Sequence, residues 1–303
     1  MDDSQTRRGF GLSLLALAAS SSLDACVSTA KGTQVSAIDC HAHVFRRDLP
    51  MPDRRRAPSG YDATPEDFLR QLDANGMTHG VLVQPSFLGT DNRYLVAALD
   101  AHPRRLRGVA VVEPGISGEE LSRLDEAGVV GIRLNQIGLP TPDFAAPPWQ
   151  ALLAQLRARR WHVQVHQMAG ALREVVDPLL AADLDVVIDH FGRPDPRLGI
   201  ADPGFAYLLS LAPCRRVWVK LSGAYRNGAN GTGEATAMAA MPLLKASFGL
   251  DRLLWGSDWP HTLFEASATY GTERRLLDQW LPDPSERAIV LGEAPARRYR
   301  FSA

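Results

Sequence analysis

The run Asp39-Cys40-His41-Ala42-His43 closes a short apolar stretch, and residues two apart on a strand face the same way, so two imidazoles converge on one point. Further along, Arg133 with Asn135, His166-Gln167, Asp189-His190, Lys220 with Ser222, and Asp258 each end or follow another such stretch. Four of the eight histidines stand in these places. A lone histidine in a strand is more often a hydrogen-bonded core residue. Three histidines joined by a carboxylate instead form a set that donates hydrogen bonds to a carbonyl or holds a divalent metal. For the metal, zinc accepts three or four N/O ligands and keeps a position for water, whose pKa it lowers toward neutrality. His41, His43, His166 and Asp258 are the candidate ligands.

Such a set needs a frame to bring it together. From Val35 onward β-branched runs alternate with helical patterns, which argues for repeated βα units. The expected strands are Ser36–Cys40, Gly80–Gln84, Leu106–Val112, Val130–Asn135, His162–Gln167, Asp185–Asp189, Val217–Leu221 and Leu253–Gly256. Helices are expected over Pro65–Asn75, capped by Thr64 with Asp67 at N3 and Gly76 beyond the end, and over Trp149–Arg160, Ala169–Ala182, Glu234–Phe248 and Thr272–Trp280. Several strands are almost continuously apolar, as in a parallel sheet buried on both faces. The fold class is α/β, a single (β/α)8 TIM barrel over residues 34–303, near the roughly 250 residues typical of that fold. A doubly wound sheet would favour a glycine-rich loop after the first strand, where His-Ala-His stands instead. In a barrel the C-terminal strand ends carry the chemistry.

With 33 basic against 34 acidic residues the net charge is −1, which excludes an electrostatically driven nucleic-acid binder as the default. A content of 45% hydrophobic and 22% charged residues excludes disorder as the dominant state. Residues 1–33 read as a leader and linker: Arg7-Arg8, then an apolar run from Phe10 to Ala19 too short to span a bilayer. The arginine pair resembles a twin-arginine export signal. Leu23-Asp24-Ala25-Cys26 resembles a lipobox with an unusual aspartate, so cleavage near Ala19 and a lipid anchor at Cys26 both stay open. The expected location is the periplasm, soluble or membrane-tethered. A Cys40–Cys214 disulfide also stays open.

The motifs DCHAHVF (39–45), DHFGRPD (189–195), VKLSGAYR (219–226) and LLWGSDWPH (253–261), in this order, resemble the amidohydrolase superfamily, amidohydrolase-2 type. Within it they are similar to the branch of 2-pyrone-4,6-dicarboxylate lactonase and sugar-acid lactonases. The resemblance covers nearly all of the chain after the leader. It implies opening of a lactone, carboxylated and aromatic-derived or a sugar acid, with Asp258 as general base for water. His41, His43 and His190 are then candidates to activate the carbonyl. The dicarboxylate lactonase is a metal-free member without histidine at the strand-5 position, whereas members with histidine there are of the mononuclear zinc type. His166 is such a departure, while Arg133 stands where a residue bridging a second metal would be. One divalent metal and metal-free catalysis both stay open.

Arg133, Arg193 and Arg226 fall at or beyond strand ends, and each guanidinium matches a carboxylate. In the dicarboxylate lactonase a second arginine follows the strand-4 arginine by six residues; here Leu139 stands there, which favours a substrate with one anionic group or a sugar-like lactone. Ser86 and Asn135 are further candidates to bind substrate, and Tyr225 and Trp259 to wall the site or simply pack. The loop from Phe45 to Thr64 carries Arg46, Arg47, Arg54, Arg55 and Arg56, and is expected to steer anions or to be merely solvated. Two other functions compete: a zinc-dependent decarboxylase of the same superfamily and an exported binding protein without turnover. The pattern is silent on oligomeric state.

Overall fold

The computed structural model describes residues 37–52, 57–58 and 60–301. The leader, Cys26 and Arg54, Arg55 and Arg56 lie outside the described residues. Eight parallel strands alternate with helices: β1 Ile38–Ala42, α1 Pro65–Ala74, β2 His79–Val83, α2 Arg93–Ala101, β3 Leu106–Ala110, α3 Gly118–Glu126, β4 Val129–Asn135, α4 Pro147–Ala158, β5 His162–His166, α5 Leu172–Ala181, β6 Val186–Ile188, α6 Pro203–Ser210, β7 Val217–Leu221, α7 Thr232–Phe248, β8 Leu253–Trp255 and α8 Tyr270–Trp280. The sheet runs in sequence order from β1 to β8. Two short helices, α9 Pro284–Ala288 and α10 Ala294–Tyr299, follow. This is a single (β/α)8 barrel. No described helix is long and apolar enough to cross a membrane.

Local signals explain the helices. Thr64 caps α1 through a reciprocal capping box with Asp67, and Pro65 occupies the first turn, where its missing N–H costs nothing. The buried stripe Phe68 and Leu72 then packs outward-facing strand residues such as Leu82 into the main core. The alternation is clearest in β5: Val163 and Val165 join the helix-facing core, while Gln164 bonds to Asp189, just after β6, and to Lys220 of β7. A separate cluster, including Cys40, Val81, Val187, Leu254, Tyr299 and Phe301, fills the barrel interior and brings the chain end after α10 beneath it.

β1 begins and ends two residues later than expected. Asp39 does not end the strand, because its buried Oδ1 accepts from the amides of His41 (3.0 Å) and Ser257 (2.9 Å) and so substitutes for ladder partners. The β1–β2 register shifts between Asp39 and Ala42. The strand expected over Leu106–Val112 stops at Ala110, and the helix expected over Ala169–Ala182 is a 3-10 turn followed by α5. Cys40 is buried and Cys214 exposed, both as free thiols, so the disulfide is not formed.

Candidate active site

The segments carrying the first histidines and the last aspartate are joined by backbone hydrogen bonds. Asp258 N donates to His41 O and His43 N to Trp259 O, each at 2.8 Å, which closes the barrel between β1 and the end of β8. The approach is close enough that a Cβ on Gly256 would meet His41 Cβ at 2.6 Å. Three polar atoms are thereby brought together. His41 Nε2 lies 3.2 Å from His43 Nε2 and 3.7 Å from Asp258 Oδ1, and His43 Nε2 lies 3.6 Å from that same oxygen. Asp258 Oδ2 accepts from Tyr225 OH (2.8 Å) and Arg226 Nε (2.5 Å), whereas Oδ1 accepts no hydrogen bond from the described residues. The backbone bends to present these groups: Asp258 (φ 59°) and His190 (φ 51°) are left-handed, a conformation costing roughly 1–3 kcal/mol each away from glycine.

Between these groups and the apolar cluster lies a polar layer of the barrel interior. Asp189 Oδ2 accepts from Arg133 Nε (2.9 Å) and Gln164 Nε2 (3.2 Å). Gln164 Oε1 accepts from Lys220 Nζ (2.6 Å), and Lys220 Nζ also stands 3.2 Å from His41 Nδ1. Burial sets the protonation states. It depresses His41 well below its usual value, helped by Lys220, and it lowers His43, His166 and His190, the last to about 3. All four are neutral imidazoles. Burial alone would raise Asp258, but the Arg226 guanidinium and the neighbouring imidazoles hold it well below the usual carboxylate range. Asp189 is held down in the same way, chiefly by Arg133. Burial lowers Lys220 to about 8 against the pull of Asp189, so it keeps its proton at neutral pH.

A cavity of about 230 Å³ opens onto this cluster, with walls from His43, Ser86, Arg133, His166, His190, Arg193, Arg226 and Asp258 and an apolar side from Phe87, Leu263 and Phe264. Most of the expected site residues meet here. His41 does not: it is wholly buried and lies beneath the wall. Asn135 ends β4 on the rung it shares with His166 and contributes nothing to the walls. Arg133 and Arg226 reach the cavity, but each already serves a carboxylate, Asp189 and Asp258 respectively. The loop arginines Arg46 and Arg47 are paired with Asp48 and Asp62 at the surface, which cancels most of the steering charge expected of them.

The amidohydrolase family model matches residues 38–301. This chain belongs to the amidohydrolase family. It is 30% identical over 268 residues to a 4-sulfomuconolactone hydrolase of Rhizobium radiobacter, covering 86% of this chain and 89% of that one. It is 33% identical over 236 residues to a 2-pyrone-4,6-dicarboxylate hydrolase of Comamonas testosteroni, covering 74% and 77%. Among solved structures, a probable 2-pyrone-4,6-dicarboxylic acid hydrolase of Acinetobacter baumannii with citric acid bound superposes with TM-score 0.84 and 39% identity, covering 88% of this chain and all of that one.

Two groups of this amidohydrolase site are placed to hold a metal ion: His41, His43 and Asp258, and His41, Asp189 and His190. His166, expected among the ligands, stands outside both groups and packs edge-on to His190 with ring centroids 5.2 Å apart. In the first group the ligand atoms are spaced 3.2–3.7 Å, against about 3.3–3.4 Å for a tetrahedral ion with ligands at roughly 2.0–2.1 Å. The positions fit. His41 Nδ1 stands between Lys220 Nζ (3.2 Å) and Asp189 Oδ1 (3.3 Å).

Sequence reasoning gave Gln164 no role, and it left Tyr225 as a wall or as packing. Gln164 had a signal, since it lies between His162 and His166 in β5 and shares their face. Tyr225 precedes Arg226 in a 3-10 turn after β7, entered through left-handed Gly223, where a Cβ would meet Asp258 Oδ2 at 2.7 Å. Only the folded turn shows that both residues reach one carboxylate oxygen.

Proposed function

We propose that the protein is a hydrolase that opens a lactone bearing an anionic group. The observation that carries this is Asp258, a buried and ionised carboxylate in the wall of a cavity that arginines also line, with Oδ2 held by Tyr225 and Arg226 and Oδ1 accepting no hydrogen bond from the described residues. Oδ1 takes a proton from water as the water oxygen adds to the lactone carbonyl. The charge of the tetrahedral intermediate then meets the His190 imidazole and the guanidinium groups, and collapse breaks the ring C–O bond while Asp258 returns the proton to the leaving oxygen. A carboxylate held so low is a weak base, so polarisation of the carbonyl carries much of the acceleration. Arg193 and Arg226 bind the anionic group. The names of the lactone-hydrolysing relatives support this reading over a decarboxylase.

Zinc is the second reading, favoured by the spacing of His41, His43 and Asp258. Bound there, it would supply Lewis-acid polarisation and a more acidic water. The leader reading goes with the proposal: an exported protein, cleaved near Ala19 or lipidated at Cys26, which fractionation and mass spectrometry of the mature N-terminus would test.

The deciding experiment is proton release in a pH-stat, with a carboxylated muconate-type or pyrone lactone set against a neutral aldonolactone and Asp258→Asn as the blank. Turnover of the carboxylated lactone is expected. Release of carbon dioxide would move the protein to the decarboxylases, and binding without turnover would make it a binding protein.

A further inference from the structure

The opposite face of the barrel carries a second cavity that the lactone chemistry does not use. It is about 840 Å³ and lies at the N-terminal ends of β5 to β8, with seven arginines and three aspartates among its walls in a chain whose net charge is −1. The aspartates are already neutralised. Asp185 accepts from Arg298 at 2.5 Å, Asp251 from Arg215 at 3.2 Å, and Asp183 from Arg216 at 2.6 Å, the last from outside the walls. The side chains of Arg157, Arg160 and Arg252 make no hydrogen bond or ion pair with any described residue, and Arg252 Nε is buried as well as unpartnered. Arg297 and Arg300 reach a carboxylate only at 3.9 Å.

These cations are held in place. The guanidinium carbons of Arg252 and Arg298 stand 4.5 and 4.6 Å from the Trp218 ring, a stacking that fixes their planes and leaves N–H edges to donate. Arg300 donates to the carbonyls of Arg159 (2.7 Å) and Arg160 (2.6 Å), which ties the chain end to the end of α4. Arg160 (φ 54°), Asp183 (φ 64°), Arg215 (φ 57°) and Arg300 (φ 56°) are all left-handed, just past a helix or helical turn, where glycine is the usual residue. Four wall residues thus occupy a backbone that costs roughly 1–3 kcal/mol away from glycine. Burial lowers the pKa of Arg252 and of Arg300, and neighbouring arginines add to it: Arg215 for the first, Arg298 and Arg160 for the second. Positive charge is gathered here against its own repulsion.

We propose that this cavity binds a compact polyanion carrying two or more phosphate groups. The unpaired donors come from separate segments, the end of α4 and the turn before β8, with Arg297 and Arg300 of the chain end beside them. A planar carboxylate takes one fork, whereas a phosphate accepts from several sides, and an arginine cluster is the usual means of holding it. The volume admits more than one such group. A soluble polyphosphate and a diphosphorylated lipid headgroup share this chemistry.

The test uses the full chain and no lactone, so its outcome is separate from that of the lactonase reading. Calorimetric titration with inorganic tripolyphosphate is expected to show saturable binding, about tenfold or more tighter than inorganic phosphate. Arg157 and Arg160 are exposed, so Arg157→Ala/Arg160→Ala keeps the fold and should weaken tripolyphosphate binding by about tenfold or more. Arg252→Ala should act in the same direction. Arg193→Ala, in the upper cavity, should leave the affinity within about twofold of wild type. Co-sedimentation with cardiolipin vesicles, competed by tripolyphosphate and reduced in the double variant, would mark a lipid headgroup as the source; its absence would mark a soluble polyanion. No saturable tripolyphosphate binding, equal affinity in the double variant, or a loss in Arg193→Ala as large as in the double variant would each overturn the proposal.

Discussion

Two cavities at opposite ends of the barrel separate charge from chemistry. The one at the N-terminal strand ends is the larger, about 840 Å³, and among its walls are Arg157, Arg160, Arg215, Arg252, Arg297 and Arg298. The one at the C-terminal ends is about 230 Å³ and holds three arginines. At the lower cavity, pairs such as Arg215 with Asp251 (3.2 Å) lie at the surface with both side chains exposed, where an ion pair is worth roughly 0–1 kcal/mol. At the upper one, Arg133 and Asp189 are both buried, and the same interaction fixes ionisation states and orients side chains. The upper cavity also contains three histidines and an aspartate, and the lower walls contain no histidine. Burial, more than the number of charges, turns charged residues into a catalytic site.

That contrast is open to direct attack. The largest effect is expected from Asp258→Asn, which should lower kcat by about 10²–10⁴-fold with little change in substrate binding, read by pH-stat and calorimetry. Asp189→Asn leaves Arg133 and Lys220 buried beside a neutral amide and should cost about 3–5 kcal/mol in urea unfolding. Glu273 comes next. It is buried in α8, and burial, aided by Asp258 and Glu234, raises it to about 8. Its ordinary value is 4.5, so the contribution of its neutral form is fully present below that and is lost as pH rises through about 8. The urea midpoint should therefore fall between pH 5 and pH 8.5, and Glu273→Gln should flatten that slope. Dialysis against a chelator should leave the rate unchanged; a loss restored by zinc would make the zinc reading correct. The smallest effect is expected at the other end: Arg157→Ala or Arg160→Ala should change stability by no more than about 0.5 kcal/mol and leave kcat alone. A fall in kcat there would end the distinction between the two faces.

Much of the upper site was legible because strand periodicity and strand ends are local. His43, His166, His190 and Asp258 lie at or just beyond the ends of predicted strands, and the barrel places them around one cavity. Where the reading failed, a long-range partner had changed the meaning of a residue. Asp39 had no role in the sequence reading and is the acceptor that ties β1 to Ser257, 218 positions away. Arg133 and Arg226 looked like forks for substrate and are also partners of Asp189 and Asp258. Tyr225 looked like packing and donates to the base.

The sequence by itself determined the βα rhythm, the barrel, the membership of the histidine and aspartate set and the family resemblance, since each depends on residue type and short spacing. Only the tertiary structure decided which groups face His41, which oxygen of Asp258 Tyr225 and Arg226 hold, and which arginines are already engaged. Those outcomes depend on hydrogen-bond distances between strands far apart in the chain, where a few tenths of an ångström decide whether a neighbour donates, accepts or only touches.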